Sequence, residues 1–337
     1  MRAFRLMIQI GLCMAVFVMP GKPAAAKAPS AAQTADPIKQ ERLQLFHRLE
    51  AVYGVPWTYL AAIDQYERSM KVGKKQKENE ETSKRLTAIE IPAERWSGPL
   101  NPDSEDTNPD SIRFFEGIGV DGDGDGKAER TNDMDVLASL IGHLSCYGYT
   151  RDDWRIGLWH YYQRDRAVRT IDQFSTIYEK YQHLDLDGRY FPIPKGYTYS
   201  YRSTWGSPRG WGGRRIHEGT DIFAGYGTPV LSTGYGMIEV IGWNRYGGWR
   251  IGMRDMSNVY HYFAHLSSFK KGLKKGDIVE PGEVIGYVGS SGYGRPGTSG
   301  KFPPHLHYGM YRETGGNEWA FDPYPYLVRW ERLNRKR

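Results

Sequence analysis

Only two cysteines occur in the 337 residues, at positions 13 and 146, too few for a disulfide framework. Long apolar runs are as scarce. The longest, Leu6 to Met19, falls short of the roughly 18 residues that a membrane-spanning helix needs. Arg2 and Arg5 precede that run, and Pro20 and Ala24-Ala25-Ala26 follow it. A basic start, a short apolar stretch and a small-residue cleavage site predict a signal peptide over residues 1–26. The expected product is exported, with no stable membrane span after cleavage. Cys13 leaves with that segment, and Leu12 before it is a poor context for lipid attachment. Cys146 then stands alone, and its apolar helical surroundings predict a buried structural thiol rather than a nucleophile.

Strong net charge is also missing. Removing Arg2, Arg5 and Lys22 from 45 basic residues leaves 42 against 39 acidic ones, a net +3. That excess is too small to predict a nucleic-acid partner, though it suits loose attraction to an anionic polymer. No internal repeat of fixed period occurs. Hydrophobic residues at 39% and charged residues at 25% mark a folded chain, long enough for two domains. Aromatics are plentiful, with 24 tyrosines available for a core or for the wall of a groove.

The texture of the chain changes once. Residues 27–36 read as a small, polar linker, and Asp36-Pro37 as a helix start. Ile38, Leu45, Leu49 and Val52 predict a first helix, and a second begins near Pro56-Trp57 with Leu60, Ile63 and Met70 on one face. Lys71 to Arg85 is a mixed charge run expected to be solvated, and 98–109 a loop rich in Pro, Asn and Asp. Three further helices are expected: one from about Asp133, one over Asp152–Tyr162, and one carrying Val168, Ile171, Phe174, Ile177 and Tyr181. Residues 37–184 therefore predict an all-α domain. From about Asp185 glycine becomes frequent and the apolar runs shorten. Met237–Trp243, Trp249–Arg254, Asn258–Leu266, Glu283–Val288 and His305–Tyr311 predict strands, so residues 185–337 read as a mostly antiparallel β domain. The fold class expected is α+β.

Four of the nine histidines fall in patterns with chemical meaning. His217 and Asp221 lie in H-E-G-T-D, His305 and His307 in H-L-H, and His265 ends the run Y-F-A-H-L. On a strand, residues two apart share a face, so His305 and His307 can point into one groove. Two imidazoles and a carboxylate are a ligand set for catalytic zinc, with the fourth position left for water. His217, Asp221 and one member of the HxH pair make such a set, leaving the other member for proton work. His261, at an even offset from His265, can reach the same groove, although a structural place is the commoner outcome. His47, His143, His160 and His183 fit no pattern.

The segments His217-Glu-Gly-Thr-Asp221-Ile-Phe-Ala, Gly227-Thr-Pro-Val230, Phe263-Ala-His265-Leu266-Ser, Gly282-Glu-Val-Ile-Gly286-Tyr-Val-Gly289 and Pro304-His-Leu-His307-Tyr together resemble the lysostaphin/LytM-type metallopeptidases, the M23 family. The resemblance covers residues 200–315, in order and spacing. It implies a zinc-dependent endopeptidase of cell-wall peptidoglycan, acting outside the cytoplasm, either secreted or wall-associated. It implies zinc on His217, Asp221 and His307, with His265 and His305 as the catalytic pair. The residues themselves do not divide base from oxyanion stabiliser between those two. Trp205-Gly-Ser-Pro-Arg209, Gly289-Ser-Ser-Gly292-Tyr-Gly, Gly297-Thr-Ser-Gly-Lys-Phe-Pro-Pro304 and Trp319-Ala-Phe-Asp-Pro-Tyr-Pro325 resemble the L-alanyl-D-glutamate endopeptidases of spore-forming bacteria. That narrower likeness implies the L-Ala–D-Glu bond and a role in sporulation. Arg209, Arg214 and Arg215 are then candidate contacts for an acidic stem peptide, or ordinary surface charges.

In the helical half, the run from Gly54 to Glu67 (GVPWTYLAAIDQYE) resembles the start of lytic transglycosylase domains, with Glu67 at the position of the catalytic acid. The family's glycine-rich motif ending in glutamine has no counterpart between Ile91 and Gly119, which predicts a degenerate, glycan-binding domain. Asp121, Asp123, Asp125 and Gly126 match the opening of a calcium loop, although position twelve is Asn132 rather than Glu. Two readings compete with the peptidase: a non-catalytic murein-binding scaffold, and a glycan-cleaving transglycosylase acting through Glu67.

Overall fold

The computed structural model describes residues 36–71, 85–210 and 214–336. The expected signal peptide with Cys13, the linker up to residue 35 and most of the Lys71–Arg85 charge run lie outside those residues.

Helices come first. α1 (Pro37–Tyr53) opens where Asp36 accepts a hydrogen bond from the Ile38 amide, and it closes on Gly54 in the left-handed conformation. α2 (Trp57–Lys71) is the most enclosed helix, with Leu60, Ala62 and Ile63 fully buried. Two short helices follow, α3 (Ala93–Ser97) and α4 (Pro109–Phe114), and then α5 (Asp133–Ser145), α6 (Arg151–Tyr162) and α7 (Asp165–Tyr181). Their apolar faces close one core in which Phe46, Trp154 and Phe174 are sealed from solvent.

Cys146 departs from expectation. It caps the C-terminus of α5 and is exposed, its Sγ 3.2 Å from the Gly142 carbonyl. The apolar stripe of α5 ends at Leu144, and two residues further on the helix has turned away from the core. Arg85, at the end of the charge run, is not solvated either: it pairs with Asp133 at 3.1 Å with its side chain only 6% exposed.

Twelve strands then follow among the described residues. Five are short: β1 (Tyr199–Tyr201), β2 (Pro208–Arg209), β3 (Arg215–Ile216), β4 (Thr220–Ala224) and β5 (Pro229–Leu231). Three long ones come next, β6 (Gly236–Asn244), β7 (Gly248–Asp255) and β8 (Val259–Phe269). The rest are β9 (Ile278–Val279), β10 (Val284–Val288), β11 (His305–Glu313) and β12 (Glu318–Phe321). The main sheet runs β1-β4-β11-β8-β7-β6-β9, with antiparallel neighbours throughout; β10 joins β5 to β8, and β12 extends β11. One face covers a core of Ile222, Ile251, Phe263, Leu306 and Tyr308. The chain ends in a helix that was not expected, α8 (Tyr324–Lys336), whose Leu327, Trp330 and Asn334 repeat at helical spacing against that core.

The described residues pack as one compact unit. Met256, in the turn between β7 and β8, belongs to the helical core, and its carbonyl accepts a 2.6 Å hydrogen bond from Gln65 of α2. Arg166 of α7 meets Glu318 of β12 at 2.6 Å, and Arg164 pairs with the buried Glu313.

Candidate active site

The opposite face of the sheet forms the floor of a groove of about 540 Å³. Four consecutive strands in space, β4-β11-β8-β7, supply that floor. Alternation along β11 sends Leu306, Tyr308 and Met310 into the core and leaves His305, His307 and Tyr311 lining the groove. Asp221 of β4 lies directly opposite His307 in the antiparallel register. His217 stands one turn earlier, and its Nδ1 donates to the Thr204 carbonyl at 2.9 Å, which leaves Nε2 facing inward.

Three donor atoms converge there. His217 Nε2 is 2.9 Å from His307 Nδ1 and 3.1 Å from Asp221 Oδ1, and His307 Nδ1 is 3.1 Å from the same oxygen. These edges are close to those of one face of a tetrahedron whose ligands lie about 2.0–2.1 Å from a shared zinc ion. Two imidazole nitrogens at 2.9 Å must share either one N–H hydrogen or a metal ion. Burial acts to raise the Asp221 carboxyl, but hydrogen bonds from His217 and His307 overcome it and hold the group well below the usual range. Burial lowers His307, so its imidazole is kept neutral, the form that binds a metal. The donor set fits zinc by both charge and geometry. Arg209 holds the other oxygen, Asp221 Oδ2, at 2.5 Å.

His305 and His265 stand beside this triangle. His305 Nδ1 donates to the Pro303 carbonyl at 2.8 Å, and His265 Nδ1 to the Ser291 carbonyl at 2.8 Å. Each therefore presents a bare Nε2. Their rings lie 4.8 Å apart, with Phe302 packed against both. His305 Nε2 is 3.8 Å from Asp221 Oδ1. Burial, reinforced by the charges of His307 and His305, pushes His265 down to about 3.

His261 does not reach the groove, despite its even offset from His265. Trp249 pairs with Leu266 while Ile251 pairs with Phe263, so β8 carries an extra residue between them. His265 has a left-handed φ of 63°, a bulge that reverses the alternation of side chains along the strand. Hence Tyr260, Tyr262 and His265 line the groove, whereas His261 is fully buried beneath it. There His261 Nε2 meets Asp255 Oδ2 at 2.9 Å and its Nδ1 meets the Tyr308 hydroxyl at 2.6 Å.

Of the three candidate arginines, Arg209 and Arg215 line the groove, and Arg215 stacks over Tyr246 at 5.4 Å. Arg214 is exposed and outside the lining. Arg250, Tyr260, Tyr262 and Tyr293 also line it, and sequence reasoning did not single them out. Each stands alone among many residues of its type, with no spacing signal.

The helical sites look different. Glu67 accepts a 2.6 Å hydrogen bond from the Tyr162 hydroxyl, and burial raises its carboxyl. In the acidic loop, the carboxylates that come together are Asp121, Asp123 and Asp135; Asp125 is not among them. Asp121 is satisfied by the amides of Gly124, Asp125 and Gly126, and Asp125 by that of Lys127. Asn132 caps α5 and donates to Asp123 at 2.7 Å, so position twelve of the expected calcium loop is already used. Calcium is not supported by this arrangement.

A profile of peptidase family M23 matches residues 215–323. Over 306 residues the chain is 56% identical to the L-Ala–D-Glu endopeptidase of Bacillus subtilis (strain 168), covering 90% of this chain and 93% of that protein. It is 38% identical over 114 residues to lysostaphin of Staphylococcus staphylolyticus, which is 33% of this chain and 22% of that one. Among solved structures it is similar to the catalytic domain of lysostaphin from Staphylococcus simulans, at 32% identity and a TM-score of 0.32, covering 39% of this chain and 92% of that one.

Proposed function

This chain belongs to peptidase family M23, and from that premise we propose that it is a zinc-dependent endopeptidase that hydrolyses the L-Ala–D-Glu bond of peptidoglycan stem peptides. The observation that carries the reading is the convergence of His217, Asp221 and His307 at 2.9–3.1 Å beneath two further histidines with free Nε2 atoms. The bond assignment is supported by identity to the Bacillus subtilis enzyme along nine-tenths of the chain.

Zinc held by His217, Asp221 and His307 would supply Lewis acidity toward the scissile carbonyl. The chain's own residues do the rest. Arg209 and the Thr204 carbonyl fix the orientation of Asp221 and His217. His305, neutral because burial lowers it, offers Nε2 to the proton of an attacking water. His265, pushed down to about 3, is likewise an acceptor at neutral pH, so it must take up a proton before it can donate one to an oxyanion or a leaving amine. The two histidines share the proton work. Arg209 and Arg215 give the groove a cationic wall suited to an acidic peptide.

The helical residues 37–184 act, in this reading, as a support that meets glycan and holds the peptidase on its polymer. Glu67 is engaged by Tyr162 and lacks the partner motif that a transglycosylase needs. Action on peptidoglycan requires a working site outside the cytoplasm, the compartment to which a signal peptide over residues 1–26 would direct the chain. Among the described residues, no helix is long and apolar enough to cross a membrane.

Incubation of purified sacculi with the protein, followed by mass spectrometry of the soluble products, tests the reading. New D-glutamyl amino termini are expected, and His305→Ala should lower their rate by about 10²–10⁴-fold. Release of other termini would overturn the bond assignment, and release of anhydro-sugars would favour the transglycosylase instead.

A further inference from the structure

Arg250 is a groove-lining arginine that leans over the Tyr262 ring at 5.9 Å and keeps a buried donor that the protein does not meet. Arg209 is committed to Asp221 and Arg215 to the Tyr246 ring. Among the described residues Arg250 forms no ion pair, and its Nε is buried without a hydrogen-bond partner. A buried guanidinium donor left unmet is costly, and in a substrate groove it marks the place of an acceptor that arrives with the ligand. The neighbouring acid on the groove wall, Glu318, cannot serve, because Arg254 holds it at 2.7 Å and Arg166 at 2.6 Å.

The position of Arg250 is also right for a particular acceptor. Its strand, β7, is the second from β11 in the sheet, with β8 between them. Strands lie about 4.8 Å apart, so the two backbones are separated by about 10 Å. Tyr262 on β8 bridges the interval: its ring is 5.9 Å from the His307 ring and 5.9 Å from the Arg250 guanidinium carbon. An arginine side chain reaching across that ring brings its charge to within one residue of the scissile bond. A glutamate inside a peptide chain uses its amine and one carboxyl in the backbone and keeps the other free. The residue that follows an L-Ala–D-Glu bond therefore carries one carboxylate close to the reacting carbonyl.

We propose that Arg250 is the specificity residue of this groove, binding the free carboxylate of the glutamate that follows the cleaved bond. The assignment rests on the reading of the groove as an L-Ala–D-Glu endopeptidase site. Tyr262 lies beneath the contact, and its phenol, raised by burial, stays protonated and available as a second donor.

Two synthetic stem peptides that differ at one group test the assignment, one with D-glutamate and one with that free carboxylate as an amide. Each is titrated calorimetrically into the full zinc-loaded chain carrying His305→Ala, so that binding is read without turnover. With Arg250 in place the acidic peptide should bind roughly tenfold to hundredfold tighter than the amide, the range for a hydrogen bond to a charged group. Adding Arg250→Gln should bring the two within about twofold, and Arg250→Lys should restore part of the preference. A preference that survives Arg250→Gln, or one that is absent with Arg250 present, overturns the assignment. Cleavage of the acidic peptide by the unaltered chain is measured in parallel. If the preference holds while that chain cuts neither peptide, the bond assignment fails and the carboxylate site stands; cleavage without any preference does the reverse.

Discussion

Gly219 constrains the metal centre as closely as the histidines do. A Cβ built there would lie 2.6 Å from His307 Cε1 and 2.7 Å from the Tyr308 carbonyl oxygen. The carbonyl belongs to a sheet strand, so a methyl group must push the Gly219 backbone away from β11 and displace the imidazole as well. Gly219→Ala is therefore expected to weaken zinc binding by roughly ten- to hundred-fold, as loss of an outer support does, while the fold persists. Competition with a colorimetric chelator checks this, and unchanged affinity in a folded variant would contradict it. The proposed donors, which the fold does bring together, were legible in the sequence because H-x-x-x-D and H-x-H state both ligand chemistry and spacing. Other parts of the site were not. The Thr204 carbonyl that orients His217 is backbone and leaves no mark on residue type. Arg250 and Tyr262 sit on the neighbouring strands β7 and β8, and only the sheet order, which sets β8 against β11, brings them to the groove.

At the level of elements, period-two alternation explains β11 and fails on β8. Counting by twos puts His261 and His265 on one face, but the bulge at His265 separates them. No glycine announces that bulge, which is why the sequence pattern does not reveal it. What it leaves behind the groove is a buried polar knot. Asp255 accepts from His261 at 2.9 Å and pairs with Arg189 at 2.9 Å, with its side chain 2% exposed. Burial acts to raise the Asp255 carboxyl; Arg189 and then His261 overcome it and hold the group at about 2, against 3.8 unperturbed. A carboxyl depressed in the folded state stabilises the fold above its unfolded value, and that contribution is lost as pH falls through the folded one. Unfolding free energy should thus decline between about pH 4 and pH 2 partly through this group. Asp255→Ala should cost about 3–5 kcal/mol near neutrality by leaving Arg189 and His261 without their acceptor, and should flatten the acid limb. Urea melts across that range measure both effects, and a loss below about 1 kcal/mol would show that the knot is not supporting β7 and β8.

Across the whole molecule, the change of texture near residue 185 falls between the end of α7 at Tyr181 and the start of β1 at Tyr199, because helical and strand periodicities differ within a few residues, but it does not foresee α8. The short helices α3 and α4 give too little sequence for a period, and α8 follows a glycine-rich stretch whose character masks its amphipathic start. Less legible still was the closeness of the two halves. Met256 enters the helical core, Arg164 reaches the buried Glu313, and Arg166 reaches Glu318 on the wall of the groove. Such contacts join residues more than a hundred positions apart and obey no local rule. They do make the helical half part of the frame around the groove, not a tethered neighbour. All of the chemistry nevertheless depends on a single ion at the meeting of β4 and β11. Elemental analysis of the folded, zinc-supplied chain tests that claim most directly. One zinc per chain is expected, falling to none in His217→Ala with His307→Ala while circular dichroism still reports the sheet. A folded, zinc-supplied chain that holds no zinc, or a double variant that keeps its full complement, would contradict the account.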